Sequence, residues 1–303
     1  MKYEIRESED GKMAIFDESG KQISEWFDYI WEEGLVSGES KYYLARKDWK
    51  QAIFDVNGNR ISEWFDIVWG SGFLKGKSDY YLAIKDGKKA IFHKNGRMIT
   101  PEWFDEVWEY GLVYYRVSKD GKMAIFNKDG KQISRWYDWI VADGLVEGRS
   151  NYYIAKKDGK YAIFDKDGNQ ISDWYDWISS CGLVKGESNL YVAVINGKVA
   201  IFDVNGNRIT NWFDYIEPEG LVRGTSEYYI AKQDDGTCAV YYKDGQKVSK
   251  DFFIWEDFYG VVFKDVLGIV EIETSDGTIE VIEFKPVSFN REEIIDYTKL
   301  LNI

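Results

Sequence analysis

The chain has 303 residues, 17% of them aromatic, 45% hydrophobic and 30% charged. That hydrophobic content excludes a disordered chain and is enough to bury a large core. With 39 Lys and Arg against 52 Asp and Glu, the net charge is −13; this sign repels phosphate backbones and anionic lipid headgroups, so no nucleic-acid or membrane partner is expected.

The N-terminal segment, Met1-Lys2-Tyr3-Glu4-Ile5-Arg6-Glu7, lacks the apolar core of a secretory signal. No apolar stretch approaches the roughly 20 residues needed to cross a bilayer. An Ala-Ile-Phe element follows at Ala14 and recurs at Ala52, Ala90, Ala124, Ala162 and Ala200, with a weaker copy at Ala239. The separations are 38, 38, 34, 38, 38 and 39 residues, and a fixed period of this size marks a repeat architecture.

Residues 42–79 show one unit in full. Tyr42-Tyr43-Leu44-Ala45-Arg46-Lys47 is rich in strand formers and is followed by a turn at Asp48-Trp49. Other copies carry Asp-Gly there, as at Asp86-Gly87 and Asp158-Gly159, a strong hairpin signal because glycine tolerates positive φ. Gln51-Ala52-Ile53-Phe54 predicts a second strand, Asp55-Val56-Asn57-Gly58-Asn59 a tight turn, and a third strand is expected near Arg60-Ile61. Trp64 to Val68 and the run Gly72-Phe73-Leu74 complete the unit, giving three or four strands of about five residues each. A second recurrent alanine stands at Ala45, Ala83, Ala155, Ala193 and Ala231, and Val117 replaces it in the short fourth copy. Small residues held at one place predict close approach of a neighbouring backbone or ring. Trp26, Trp64, Trp103, Trp136, Trp174 and Trp212 recur once per copy and are expected to be core.

Later copies add irregularities. Pro101 is an extra residue after Ile99-Thr100, so a break is tolerated there. The fourth copy has lost a Gly-x-Ser loop found at Gly38-Glu39-Ser40, Gly76-Lys77-Ser78, Gly148-Arg149-Ser150, Gly186-Glu187-Ser188 and Gly224-Thr225-Ser226. That loop reads as a turn whose serine bonds the backbone. Cys181 and Cys238 occupy non-equivalent places, which predicts two free thiols in a reducing compartment and a soluble, cytoplasmic protein. Residues 260–286 read as a degenerate eighth copy, with Gly268 in the alanine position and a polar ending suited to a cap. Residues 287–303 read as a capping helix, opened by the box Asn290 to Glu293 and running to about Leu301. The expected organisation is therefore one repeat domain over 1–286 and a short C-terminal helix.

Gly11-Lys12-Met13-Ala14-Ile15-Phe16-Asp17, Phe27-Asp28-Tyr29-Ile30 and Glu33-Gly34-Leu35-Val36 together resemble the bacterial WG (KWG) repeats. The resemblance covers most of residues 3–285. It departs at the signature pair, where Met13-Ala14, Gln51-Ala52 or Tyr161-Ala162 stand in place of Trp-Gly. The tryptophan lies instead in the Trp-Phe/Tyr-Asp element. The resemblance implies a β-repeat interaction module and brings no catalytic residues with it. Independently, short strands in units of about 38 residues predict an all-β, β-propeller-like fold, with an open superhelical array of hairpins as the alternative.

Repeated carboxylates stand at Asp28, Asp66, Asp105, Asp138, Asp176 and Asp214. A glycosidase would need one acid pair, whereas identical acids in each copy suit backbone bonding in a turn. The Asp-x-Asn/Asp-Gly-Asn turns place glycine fourth rather than sixth and lack a closing glutamate, so hairpins explain them better than calcium. His93, the single histidine, falls in the same turn and reads as an exposed turn residue. With two scattered cysteines and one histidine, no metal site, nucleophilic triad or cofactor is expected.

What varies between copies is not required by the fold. Three positions after the repeat aspartate stand Trp31, Trp69 and Trp108, against Val141, Ser179 and Glu217 later. One position after it stand Trp139 and Trp177, and Trp49 replaces a turn glycine. Trp31, Trp49, Trp69 and Trp108 are therefore the candidate binding patch, since tryptophan dominates interface hot spots. The leading expectation is a non-enzymatic scaffold binding another protein. A multivalent carbohydrate-binding lectin is the alternative, and a glycosidase comes third.

Overall fold

Tyr43-Leu44-Ala45 and Ala52-Ile53-Phe54 are apolar without alternation, the pattern of strands covered on both faces. In the computed structural model, which describes residues 2–109, 113–253 and 258–287, every such pair forms an antiparallel hairpin. The chain falls into two compact units, Met1–Trp136 and Tyr137–Ile303.

The first unit holds four sheets. A two-stranded sheet pairs β1 (Tyr3–Glu7) with β2 (Met13–Asp17). Three-stranded sheets follow: β3 (Tyr29–Ile30), β4 (Tyr42–Lys47), β5 (Lys50–Asp55); β6 (Ile67–Trp69), β7 (Tyr80–Lys85), β8 (Lys88–His93); and β9 (Glu106–Glu109), β10 (Tyr114–Lys119), β11 (Lys122–Asn127). The second unit repeats the plan with β12 (Trp139–Val141), β13 (Tyr152–Lys157), β14 (Lys160–Asp165); β15 (Trp177–Ile178), β16 (Leu190–Ile195), β17 (Lys198–Asp203); β18 (Tyr215–Ile216), β19 (Tyr228–Lys232), β20 (Cys238–Tyr242); and β21 (Phe258–Lys264), β22 (Ile269–Thr274), β23 (Ile279–Glu283). The fold is all-β, built from repeated three-stranded antiparallel sheets.

Within each unit, one face of a sheet packs on the opposite face of the next. Ala45 lies directly across from Ala52, as Ala83 does from Ala90 and Ala193 from Ala200. Both recurrent alanines thus form one flat floor, fully buried. The branched pair of the preceding sheet stands on that floor: Leu44 and Ile53 meet Ala83 and Ala90, and Val192 and Ile201 meet Ala231 and Ala239. Each such residue gains about 1.5–3 kcal/mol from burial. The close approach expected from the alanines is therefore that of an aliphatic pair.

The phase of the unit differs from the sequence reading. Residues near Arg60-Ile61 form no strand, only a bridge between Phe54 and Arg60. The third strand of each sheet comes instead from the segment after Trp-Phe/Tyr-Asp and joins the following hairpin, as β6 joins β7. Gly72-Phe73-Leu74 lies in a helical turn, α1 (Ser71–Leu74), matched by α2 (Asp143–Val146). The outer edge of β5 is covered by an arc that returns to pair Phe65 with Gln51. At its bend the Ile53 N–H donates to Ser62 Oγ at 2.9 Å, and Ser62 Oγ donates to the Glu63 carbonyl at 2.9 Å. Ser24, Ser134, Ser172 and Thr210 do the same for Ile15, Ile125, Ile163 and Ile201. This explains the recurrent Ile-Ser/Thr: a hydroxyl replaces the strand partner where the backbone turns away. In the third copy, with its extra Pro101, Thr100 Oγ1 is buried without a hydrogen-bond partner.

The six repeat tryptophans are not core. All are half-buried, while the next residue in each copy (Phe27, Phe65, Phe104, Tyr137, Tyr175, Phe213) is buried. Adjacent side chains on an extended backbone point to opposite sides, so only one of the two can enter. The tryptophan lies at the rim; Trp64, for example, packs on Phe54 at 5.9 Å. Tyr43, Tyr81, Tyr115, Tyr153, Tyr191 and Tyr229 supply further core rings, beside Phe54, Phe92, Phe126, Phe164 and Phe202 of the Ala-Ile-Phe element. At the C-terminal end, Gly268 has φ +66° and ends a short 3-10 turn before β22, so it does not occupy the alanine position. The outward face of that sheet alternates Val262, Glu271 and Val281 across its strands. The helix expected from Asn290 to Leu301 lies outside the described residues.

Candidate functional site

Four of the repeat aspartates, Asp66, Asp105, Asp176 and Asp214, pair with a lysine of the preceding sheet. Asp66 accepts the Asp86 backbone N–H at 2.7 Å, holding the turn of its own sheet, and ion-pairs with Lys50 of the preceding one. Asp105 and Asp176 do the same with Asp120 and Lys88, and with Asn196 and Lys160. The lysine hydrogen bond, seconded by the turn N–H, holds all three carboxyls below the usual aspartate range. A carboxylate so committed is poorly placed for acid–base chemistry.

The turn aspartates are likewise occupied. Asp55 Oδ1 accepts the N–H groups of Asn57 and Asn59 at 2.8 and 2.9 Å, and Asp203 repeats this with Asn205 and Asn207. His93 takes over the role, its Nδ1 accepting the Asn95 N–H at 3.3 Å; it is half-buried rather than exposed. Ser150 of the Gly-x-Ser loop donates to the Val184 carbonyl of the following sheet at 2.6 Å, and a Cβ on nearby Gly144 would lie 1.8 Å from that same oxygen. These loops are joints between sheets. Neither Cys181 nor Cys238 forms a disulfide.

The four candidate tryptophans are distributed over three sheets. Trp31 is half-buried and meets Tyr29 edge-on, with centroids 4.9 Å apart. Trp49, 85% exposed, caps the β4–β5 turn with φ +65°, next to Asp48 at φ +50°. The Arg46 guanidinium lies 5.5 Å from the Tyr29 ring and 5.8 Å from the Trp49 ring. Trp31, Tyr29, Arg46 and Trp49 therefore form one continuous strip across a single sheet. Trp69 and Trp108 do not join it. Trp69, exposed on β6, has Lys89 at 5.4 Å; half-buried Trp108, on β9, has Arg116 at 4.7 Å.

Among the described residues, Trp49 is the one residue other than Gly, Asp or Asn with a positive φ. The equivalent positions are Gly87, Gly121, Gly159 and Gly197, all at φ between +74° and +81°. A side chain in this region costs about 1–2 kcal/mol. On the other side of the same hairpin lies an open groove of about 700 Å³, whose lining includes Lys47, Lys50, Arg60 and Trp64, with Arg60 5.6 Å from the Trp64 ring.

Tyr29 and Arg46 were not among the sequence-derived candidates. Arg46 stands where other copies have Ile84, Ser118, Lys156, Val194 and Lys232, so comparing copies flags it. Trp139 and Trp177 are about half exposed at equivalent places in the second unit.

No family model matches the chain, and no curated protein matches it. Solved structures similar to it include the computationally designed Ika8 protein, at 14% identity and TM-score 0.35 with 94% of each chain covered. BamB from Moraxella catarrhalis matches at 12% identity and TM-score 0.30, covering 94% of this chain and 92% of that one. Kluyveromyces lactis Hsv2 matches at 11% identity and TM-score 0.35, covering 74% and 76%. Similarity at this level establishes neither fold nor function for the chain.

Proposed function

We propose that this chain is a non-enzymatic scaffold of the WG-repeat type that binds another protein in the cytoplasm. The observation that carries the reading is Trp49, an exposed indole on a turn whose backbone favours glycine, set against Arg46 and Tyr29. Tryptophan, tyrosine and arginine are the residues enriched at interface hot spots. Two cysteines outside any disulfide support a reducing compartment, and no helix among the described residues is long and apolar enough to cross a membrane. The engagement of the repeat aspartates by lysines and turn N–H groups supports the non-enzymatic reading.

The test is capture from extract of the source cells on immobilised full-length chain, beside a Trp49→Gly column. A protein retained by the first and lost from the second is expected; identical retention on both contradicts the reading. A second reading is favoured by Trp139 and Trp177, half-exposed at equivalent places, which would give a lectin several like sites for stacking on sugar faces. Glycan-array binding with more than one site per chain is its required result.

A further inference from the structure

We propose that the strip Trp31–Tyr29–Arg46–Trp49 recognises an internal acidic segment of the partner protein, one in which an Asp or Glu side chain lies next to an apolar one. The proposal rests on the scaffold reading and names the chemistry of its ligand.

Charge decides the polar half of that chemistry. The lysines that flank the hairpin are neutralised: Lys47 pairs with Glu25 at 2.6 Å and Lys50 with Asp66. Arg46 forms no ion pair among the described residues, and its guanidinium lies within 6 Å of two ring centroids. Rings supply cation–π attraction without using the N–H donors, so the planar fork remains available to a carboxylate, which it matches with two parallel hydrogen bonds. In a chain of net charge −13, Arg46 is thus a cation without an ion-pair partner among the described residues, although Asp28 and Asp48 share its hairpin. Trp49 and the edge-on pair Tyr29–Trp31 supply the apolar half, on either side of the cation. These features coincide in one sheet. Arg46, Trp49 and Trp31 each depart from some or all of the other copies, and the departures are linked in space through Arg46 and Tyr29.

The test pans a phage-displayed random dodecapeptide library on the full chain and measures the selected peptides by fluorescence anisotropy. Peptides carrying Asp or Glu beside Trp, Phe or Leu are expected. Their affinity should fall about tenfold or more for Trp49→Gly and for Arg46→Gln, as for truncated hot spots. It should also weaken as salt rises from about 50 to about 300 mM, which screens the exposed part of the pair. Trp49→Gly restores the residue found in other copies, so its fold is retained; the circular dichroism spectrum checks this. Selected peptides without acidic residues, or peptides whose binding ignores both substitutions, would overturn the proposal while leaving a protein scaffold in place. Failure to select any peptide, together with alginate binding lost in Trp49→Gly, would overturn both in favour of an acidic-glycan site.

Discussion

Tyr153 lies at a junction of packing and polarity. Its ring stacks on Phe164 at 5.5 Å and is fully buried, yet its hydroxyl has no hydrogen-bond partner, as at Tyr43, Tyr81, Tyr115, Tyr191 and Tyr229. Burial holds the phenol pKa above its ordinary value, keeping it neutral. The ring therefore contributes most of the side chain's effect. Urea unfolding is expected to show that Tyr153→Phe changes stability by less than about 1 kcal/mol, while Tyr153→Ala costs about 3–5 kcal/mol. The sequence showed these tyrosines as strand formers but directed attention to the tryptophans, whose size made them the obvious core residues. Size was misleading because Trp64 and Phe65 alternate on one extended segment, and the interior had room for the second. Within the candidate strip, Trp49 and Trp31 are legible in the sequence as departures from other copies. Arg46 is not legible in this way, since a charged residue on a strand looks like an ordinary solvated face until its two ring contacts are seen.

The element that defines the repeat is the hairpin with its returning arc. The hydroxyl of Ser62 accepts the buried Ile53 N–H, whereas Thr100 Oγ1 has no partner. Ser62→Ala is thus expected to cost about 1–3 kcal/mol, and Thr100→Val to be neutral or stabilising. Equilibrium unfolding of the two variants checks both signs, and equal losses would remove the distinction drawn between the arcs. Hairpins and their turns were legible because Asp-Gly and paired alanines carry the geometry locally. The phase of the sheet was not legible. Whether Ile67–Trp69 pairs backwards with its own hairpin or forwards with the next is settled by long-range packing, and the short strand has the same composition either way.

In each unit, sheets stack alanine floor to aliphatic pair, and Asp66, Asp105, Asp176 and Asp214 tie neighbours by pairing with a lysine. The period announced such an array, and the tail sheet at 258–283 stayed recognisable although its copy of the motif has faded. The ties make part of the stability of each unit depend on pH. Asp66, Asp105 and Asp176 have lowered carboxyl pKa values in the folded state, so acidification protonates the unfolded chain first. Their contribution is complete above the unfolded aspartate pKa of about 3.9 and is lost as pH falls through the folded values. Urea midpoints are expected to hold from neutral pH to about 5 and then decline. The decline should be shallower in a variant with Asp66, Asp105 and Asp176 all changed to Asn.

The constant layer of the repeat is architecture, and its departures are kept at a cost to the fold. Trp49 states it most sharply, because five hairpins share one turn and four of them have glycine where it has an indole. The direct measurement is the equilibrium urea unfolding of Trp49→Gly beside the parent chain. A gain of about 0.5–1 kcal/mol is expected, the relieved left-handed strain less the added backbone entropy of glycine. A loss of stability would contradict it, since Trp49 would then serve the fold and its exposure would no longer point to a partner.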